Sequence, residues 1–536
     1  MTRWYAAVVA ALAVTPALAQ GPAPGHRLVS VLGRTDTGLV DAQGAIVHTW
    51  SAAFPPGLSC YLDRDGTLLR TAQVTTSPLP GQGGGLQRLA LDGSVLWDFR
   101  YDGPGVLSHH DIAVLPNGHV LMVAWEDMTF AEAVAAGRDP ATIPGVLWPD
   151  HVIEVQQTGP TTGAIVWEWH AWDHLIQDFD PTKANFGVVS DHPELIDLNY
   201  PPLVPPAGDW LHFNGIDYDP VHDRIVISVN STGEIWVIDH STTTQEAAGH
   251  VGGRWGRGGD LLYRWGNPAA YGRGTVLERV SNGQHSPKFI PPGDPGAGNL
   301  MLFLNSPRVL PQSAVYEITP PLDPSGAFIL APGGTYGPAA PTWSYTDPSL
   351  FSKILSSVER LPNGNTLICS GTEGRVFEVT PSGVEVAAAP PAAGPVFHAT
   401  YVDRTLWSDR ATLSVAAGGA VGLDLVAGSA SAGDPYLVLG SVSGTMPGTA
   451  LGGVHVPLNF DAWTVQTASF PGTPLLQGTL GTLDANGRAT ASLLNVPPGL
   501  LPGALIGLAL DHAFVVVDAG GAPTLASNAV GFVLAP

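Results

Sequence analysis

The chain has 536 residues and carries 23 Lys+Arg against 46 Asp+Glu, a formal net charge of −23. That balance excludes nucleic acid and anionic membrane as partners, because both are held by a basic face. Only 13% of residues are charged, 65 are Gly and 49 are Pro, a composition hostile to long helices, while 44% hydrophobic residues and 15 Trp exclude disorder. What remains is an all-β chain long enough for two or three domains.

The first twenty residues, MTRWYAAVVAALAVTPALAQ, read as a secretory signal. Arg3 gives the positive start, Trp4 to Val14 the apolar run, and Ala17-Leu18-Ala19 the small-residue cleavage pattern. Cleavage predicts a signal over 1–19 and a periplasmic or extracellular protein. No later segment is apolar for about 18 residues, so no membrane insertion is expected. Cys60 and Cys369 each sit at a strand-like apolar position and read as buried thiols, with a bridge between the two ends of a closed ring as the alternative.

A loose repeat occupies 26–400. One half is strand, tight turn, strand, as in residues 58–69, 110–121 and 357–368, whose Asp-Gly and Asn-Gly pairs tolerate the positive φ of short hairpins. The other half is a hairpin ending in an aromatic strand: GAIVHTW (44–50), GSVLWDF (93–99), GAIVWEW (163–169), DLLYRW (260–265) and PTWSY (341–345). The tryptophans read as packing between repeats. Six such units predict a six-bladed β-propeller. The hairpin near 28–50 has no strand pair before it, which predicts that it completes the last blade alongside 357–386. Loops over 126–150, 171–209, 240–259 and 266–284 are too long for plain turns and are expected to shape a mouth. Glu126-Asp127 and Asp150-His151 read as solvated rim residues. From 405 to 536 lysine is absent and short alternating strands recur, which predicts a small C-terminal β-sandwich serving as an accessory module.

The innermost strands of a propeller converge on its axis, so matched positions of distant repeats become neighbours. Aligning Leu115, Ile290 and Leu361 puts His110, His285 and Ser356 at one level, and His212 and Asn214 flank the same place in the divergent copy before Ile216. On a regular pleat His109 turns to the opposite face. Several imidazoles around one cavity suit metal ligation or the transfer of an anionic group.

Residues 28–400 resemble the arylsulfate sulfotransferase family of exported bacterial enzymes. The resemblance rests on HHDIAVLPNG (109–118), DWLHFNGIDYDP (209–220), GDLLYRWGNPAAYGRGT (259–275), QHSPKFIPPGDPGAGNLMLF (284–303) and SSVERLPNGNTLICSGTEGRVFEVTPSG (356–383). The resemblance implies a PAPS-independent, ping-pong transfer of sulfuryl groups from a phenolic sulfate donor to a phenol acceptor, with no metal, nucleotide or other cofactor. It makes His285 the nucleophile, His212 and His110 its channel partners, and Asn214 a hydrogen-bond donor; the repeat alignment adds Ser356, and adjacency to His110 adds His109, as substrate-binding candidates. Asn230 stands where the family carries an arginine, and Arg254 in GGRWGRGGD is the candidate replacement, with Arg257 beside it. Two further readings stay open: a non-catalytic binding propeller, and a metal-dependent hydrolase using the same histidines.

Overall fold

A computed structural model describes residues 21–23, 25–63, 66–76, 81, 83–203, 208–307 and 312–536. The segment expected to be a signal, 1–19, lies outside the described residues. Six four-stranded antiparallel sheets follow one another around an axis. Blades are numbered here by their innermost strands: Pro56–Leu62, Val106–Val114, Phe213–Asp219, Gln284–Phe289, Ser357–Arg360 and Val396–Val402. The protein is a β-propeller.

Ring closure differs from the expectation. Residues 357–386 do not share a blade with 28–50, because the fifth blade is already complete with Ser357–Arg360, Thr366–Ser370, Arg375–Val379 and Glu385–Ala388. Instead Val396–Val402 pairs with His26–Val31, which continues into Asp36–Val40 and Ile46–Ser51. The two ends of the propeller chain are therefore joined by a ladder running from His26↔Val402 to Val31↔Val396. The sequence 396–402 lacks the Asn-Gly turn that marks other inner strands, so nothing local reveals its role.

The aromatic strand ends explain how the blades stay together. Trp50, Trp97, Trp169, Trp265 and Trp343 each donate the indole N–H to a carbonyl of the following blade: Ala90, Thr162, Gly259, Pro338 and Pro381, at 2.7–3.0 Å. Trp50, Trp97 and Trp169 are fully buried. Burying one such ring is worth about 4 kcal/mol as an upper bound, and pairing its N–H avoids the cost of a stranded donor. Both cysteines are buried and free; burial pushes the Cys60 thiol up to about 11 and the Cys369 thiol up to about 12.

Beyond the last propeller strand, Leu406–Ser408, Gly419–Val426, Arg488–Val496 and Leu476–Gln477 form one sheet. A second is built mainly from Thr412–Ser414, Val530–Ala535, Ala509–Val517 and Pro435–Ser441. Leu423, Leu425 and Leu493 of the first meet Val438, Phe514 and Phe532 of the second in a single core. Trp407 and Val426 also join Leu28, Leu39 and Trp50 of the sixth blade, so the two parts share apolar contact. No helix among the described residues is long and apolar enough to cross a membrane.

Candidate active site

The end of the axis that holds the histidines is made of irregular backbone. The inner strands of blades two, three and four lose register between Ser108 and Ile112, Phe213 and Gly215, and His285 and Lys288. Within or beside these breaks His110, His212 and Ser286 take φ of 48°, 55° and 51°, and Ser356 takes 93° at the head of the fifth inner strand. Left-handed backbone is uncommon for residues bearing a Cβ, and a bulge re-aims the side chains around it. One consequence corrects the regular-pleat expectation: His109 is not turned away from its neighbour, and the two Nδ1 atoms lie 2.8 Å apart.

Three imidazoles from three blades meet here. The His110 and His212 rings are 4.7 Å apart and nearly perpendicular, at 74°. Phe397, from the closing strand, packs against both His110 and His285, with centroids 5.9 Å and 6.1 Å away. His285 is 4% exposed and His110 5%, whereas the His212 side chain is 19% exposed. Gly81 covers His110 from the first blade: its carbonyl accepts the His110 N–H at 2.8 Å, and a Cβ on it would lie 1.9 Å from the ring.

The three rings differ in basicity for identifiable reasons. Burial lowers His285 to about 4, against a weaker upward pull from the Asn305 hydrogen bond. Burial, then the neighbouring charges of His212, His109 and His285, holds His110 well below the ordinary imidazole value. For His212 burial also disfavours the charge, but the carboxylate and hydrogen bond of Asp209, aided by Asp150, overcome it and raise the pKa. His212 thus keeps its proton longest as pH rises.

Second partners fix the tautomers. Asn305 donates Nδ2 to the carbonyls of Ser352 (2.8 Å) and Leu355 (3.0 Å), so its Oδ1 is turned to accept the His285 Nδ1–H at 2.7 Å. The neutral ring then carries its lone pair on Nε2. His212 donates Nδ1–H to Asp209 Oδ2 at 2.5 Å, and Asp209 Oδ1 is held by the Trp125 indole at 3.0 Å. His109 stacks on Trp125 with centroids 3.8 Å apart, and its Nε2 lies 2.9 Å from Asp150 Oδ1. Asp150 is fully buried, as is His151, which corrects the reading of this pair as a solvated rim. Asp150 also accepts the Phe213 N–H at 3.1 Å, tying the second blade to the third.

Other expected site residues fall as follows. Asn214 is fully buried and donates Nδ2 to the Gln284 carbonyl at 2.9 Å, so its amide braces the backbone just before His285. Asn230 follows the second strand of its blade and donates its backbone N–H to the His212 carbonyl at 3.2 Å, so the two residues are neighbours along the backbone ladder. Ser356 is buried, with Oγ accepting the Gly371 N–H at 2.9 Å. Arg254 is not at the site. It bonds the carbonyl of Val221 at 3.3 Å, in the turn at the far end of the Phe213–Asp219 strand. A seven-residue strand spans roughly 20 Å, beyond the reach of that side chain. Asp209, Asn305, Trp125 and Phe397 belong to the site without having been singled out by sequence reasoning. Only Asp209 has a local signal, as the Asp three residues before His212.

Toward the opposite mouth the axis is filled by a polar plug. Tyr61 donates its hydroxyl to Asp111 at 2.7 Å, and Lys288 Nζ lies 3.3 Å from both Tyr61 Oη and Asp217 Oδ1. A cavity of about 500 Å³ opens beyond it, lined in part by Asp217, Lys288 and Glu359.

Fold and site together define a β-propeller that gathers imidazoles of unequal basicity at one end of its axis, a class suited to moving an anionic group between small molecules. The arylsulfotransferase (ASST) family profile matches residues 39–403, well over half of the sequence, and the chain belongs to that family. Membership gives it a sulfotransferase function in general, of the aryl, PAPS-independent kind.

A search among curated proteins finds no match. Among solved structures, a protein of unknown function from Bacteroides caccae is similar at 13% identity and a TM-score of 0.37, covering 68% of this chain and 94% of that one. The Cps50 (Swd1) propeller domain of Myceliophteria thermophila is similar at 10% identity and 0.36, covering 73% and 94%. Virginiamycin B lyase from Staphylococcus aureus is similar at 9% and 0.32, covering 68% and 83%.

Proposed function

We propose that this protein is exported and transfers a sulfuryl group from a phenolic sulfate ester to a phenol through a covalent sulfohistidine at His285. The observation that carries the reading is the Asn305 contact to His285 Nδ1, which leaves Nε2 with a lone pair on a ring held neutral. Attack by Nε2 on sulfur forms an N–S bond as the S–O bond to the phenol breaks. His212, the ring that retains a proton, gives its Nε2 proton to the departing phenolate and is left neutral. An acceptor phenol then takes the vacated place, returns a proton to His212 and attacks sulfur, breaking the N–S bond. The kinetics are ping-pong and need no nucleotide.

Asp209 plays the part of the carboxylate that orients an acid–base histidine and stabilises its charge. A proton between their Nδ1 atoms, 2.8 Å apart, links His109 to His110, whose ring stands beside that of His212. Asn214 and Ser356 act by holding the ends of inner strands, and Asn230, bonded through its backbone to His212, offers a neutral amide in place of a guanidinium. Positive charge for the sulfuryl oxygens is then supplied by His212 itself, which makes binding weaker than a bidentate arginine would give.

Incubation with ³⁵S-labelled aryl sulfate in the absence of acceptor tests the reading. Label should appear on the peptide containing His285 and leave when a phenol is added. A protein that releases p-nitrophenol from its sulfate ester normally after His285→Ala would end the proposal.

A further inference from the structure

The second blade holds a group of side chains that sulfuryl transfer does not use. Glu126 ends the strand Val120–Glu126, His151 lies near the start of Asp150–Gln157, and His170 ends Gly163–His170. His151 pairs across the sheet with His170 on one side and Ala124 on the other. With the two-residue alternation of a strand, Glu126 shares the face of Ala124. All three side chains therefore occupy the face turned from Trp125 and Asp150, toward Tyr101 of the first blade.

Each offers one ligand atom, and these atoms lie within 4.8 Å of one another. His170 Nδ1 is 3.0 and 3.1 Å from the two Glu126 oxygens. The His151 ring lies parallel to that of His170, centroids 5.0 Å apart, and Tyr101 Oη is 3.0 Å from His151 Nε2. His151 is fully buried, and its Nδ1 has no hydrogen-bond partner among the described residues. Glu168 adds a carboxylate oxygen 3.6 Å from His170 Nε2. A second cluster, His174, His250 and Asp260, differs in kind: both ring nitrogens of His174 are taken, by Asp260 and by the Ala247 carbonyl, each at 2.8 Å.

We propose that Glu126, His151 and His170 bind one divalent first-row transition metal. Two imidazoles and a carboxylate form a mixed nitrogen–oxygen set of the kind that takes Zn²⁺ or its neighbours, whereas Ca²⁺ and Mg²⁺ prefer oxygen alone. Ligand atoms around Zn²⁺ stand about 3.3 Å apart, from metal–ligand bonds of about 2.0 Å. His170 and Glu126 already have that spacing, and His151 needs to approach by about 1.5 Å at most. The ion would tie together three strand ends where the loops after Glu126 and His170 leave the blade. It serves as a structural clasp on the opposite face of the sheet from Asp150 and takes no part in the displacement at sulfur.

The test uses tag-free full-length protein, treated with chelator, desalted and titrated with ZnCl₂ by calorimetry and with CoCl₂ by visible absorption. The expected result is one equivalent of Zn²⁺, d–d bands from Co²⁺, and a rise in Tm on loading. His170→Ala and Glu126→Gln, at partly exposed positions that spare the buried His151, should each weaken Zn²⁺ by more than about tenfold. His250→Ala and His285→Ala should leave the equivalent in place. Three results would overturn the site: no stoichiometric binding, binding indifferent to His170→Ala and Glu126→Gln, or an equivalent lost with His250→Ala or His285→Ala.

Discussion

Replacing Asp209 by Asn tests the division of labour among the histidines. In the wild type, His212 is raised by Asp209 against the opposing effect of burial, and His285 is lowered to about 4 by burial. The nucleophile must be neutral and the acid protonated. Hence kcat/KM for p-nitrophenyl sulfate with a phenol acceptor should rise through about pH 4 and fall only above the ordinary imidazole range. The Asp209→Asn side chain would keep an oxygen for the Trp125 indole but remove the charge at 2.5 Å from His212 Nδ1. Burial then dominates and the His212 pKa falls, each unit costing about 1.4 kcal/mol or tenfold in protonated acid at a fixed pH above it. Loss of a charge-assisted bond and of the preferred tautomer adds to this, so a drop of about 10²–10⁴ in kcat is expected at pH 8. The alkaline limb should move to lower pH while the acid limb, set by His285, stays. An Asp209→Asn enzyme whose alkaline limb stays put or moves upward would refute the assignment of His212 as the acid.

Four further outcomes follow from the geometry. Asn305→Ala should cut kcat about 10–100-fold with little change in KM, through loss of the His285 tautomer, and cost about 2 kcal/mol of stability from the freed Ser352 and Leu355 carbonyls; unchanged kcat would remove Asn305 as a positioning residue. Gly81→Ala puts a methyl 1.9 Å from the His110 ring at a φ of +87°, so activity should fall and Tm drop, both readable on the purified variant. Asn230→Arg should lower KM for aryl sulfates and raise kcat/KM about tenfold or more by adding a charge-assisted contact to the sulfuryl group, and KM that does not fall would show that the side chain is turned from the substrate. Finally, folded His26 and His285 have pKa values of about 4 and His512 of about 3, all below the value of 6.5 expected on unfolding. Their contribution is therefore intact above pH 6.5 and lost as pH falls, by about 2 kcal/mol each at pH 5, so Tm should decline steadily from pH 6.5 to pH 4.

The electrostatic arrangement has a simple physical logic. Burial alone makes every imidazole in the channel neutral, which suits a nucleophile but leaves no acid. One carboxylate, held by the Trp125 indole and set against one ring, restores a proton at a single place. A tenfold difference in proton affinity needs only about 1.4 kcal/mol, well within the reach of one short charged hydrogen bond.

Composition, turn dipeptides and aromatic strand ends are enough to define an all-β chain, the propeller and the stretches that hold His110, His212 and His285, because those features depend on local conformational preference. They also explain the tryptophan hooks, since a repeated aromatic at a strand end has one good place to go. Residues 396–402 carry no turn signal, and their pairing with 26–31 becomes visible only once the ring is closed. The partners of the histidines are likewise tertiary facts: Asn305 is 20 residues from His285 and Trp125 is 84 from Asp209. The left-handed backbone at His110 and His212 is imposed by bulges in the finished sheet, against the preference of the residues themselves. Basicity lies largely beyond the sequence for the same reason: the burial that lowers His110 and His285 comes from strands of other blades, and Asp209, although only three residues from His212, is held in place by Trp125 of the neighbouring blade.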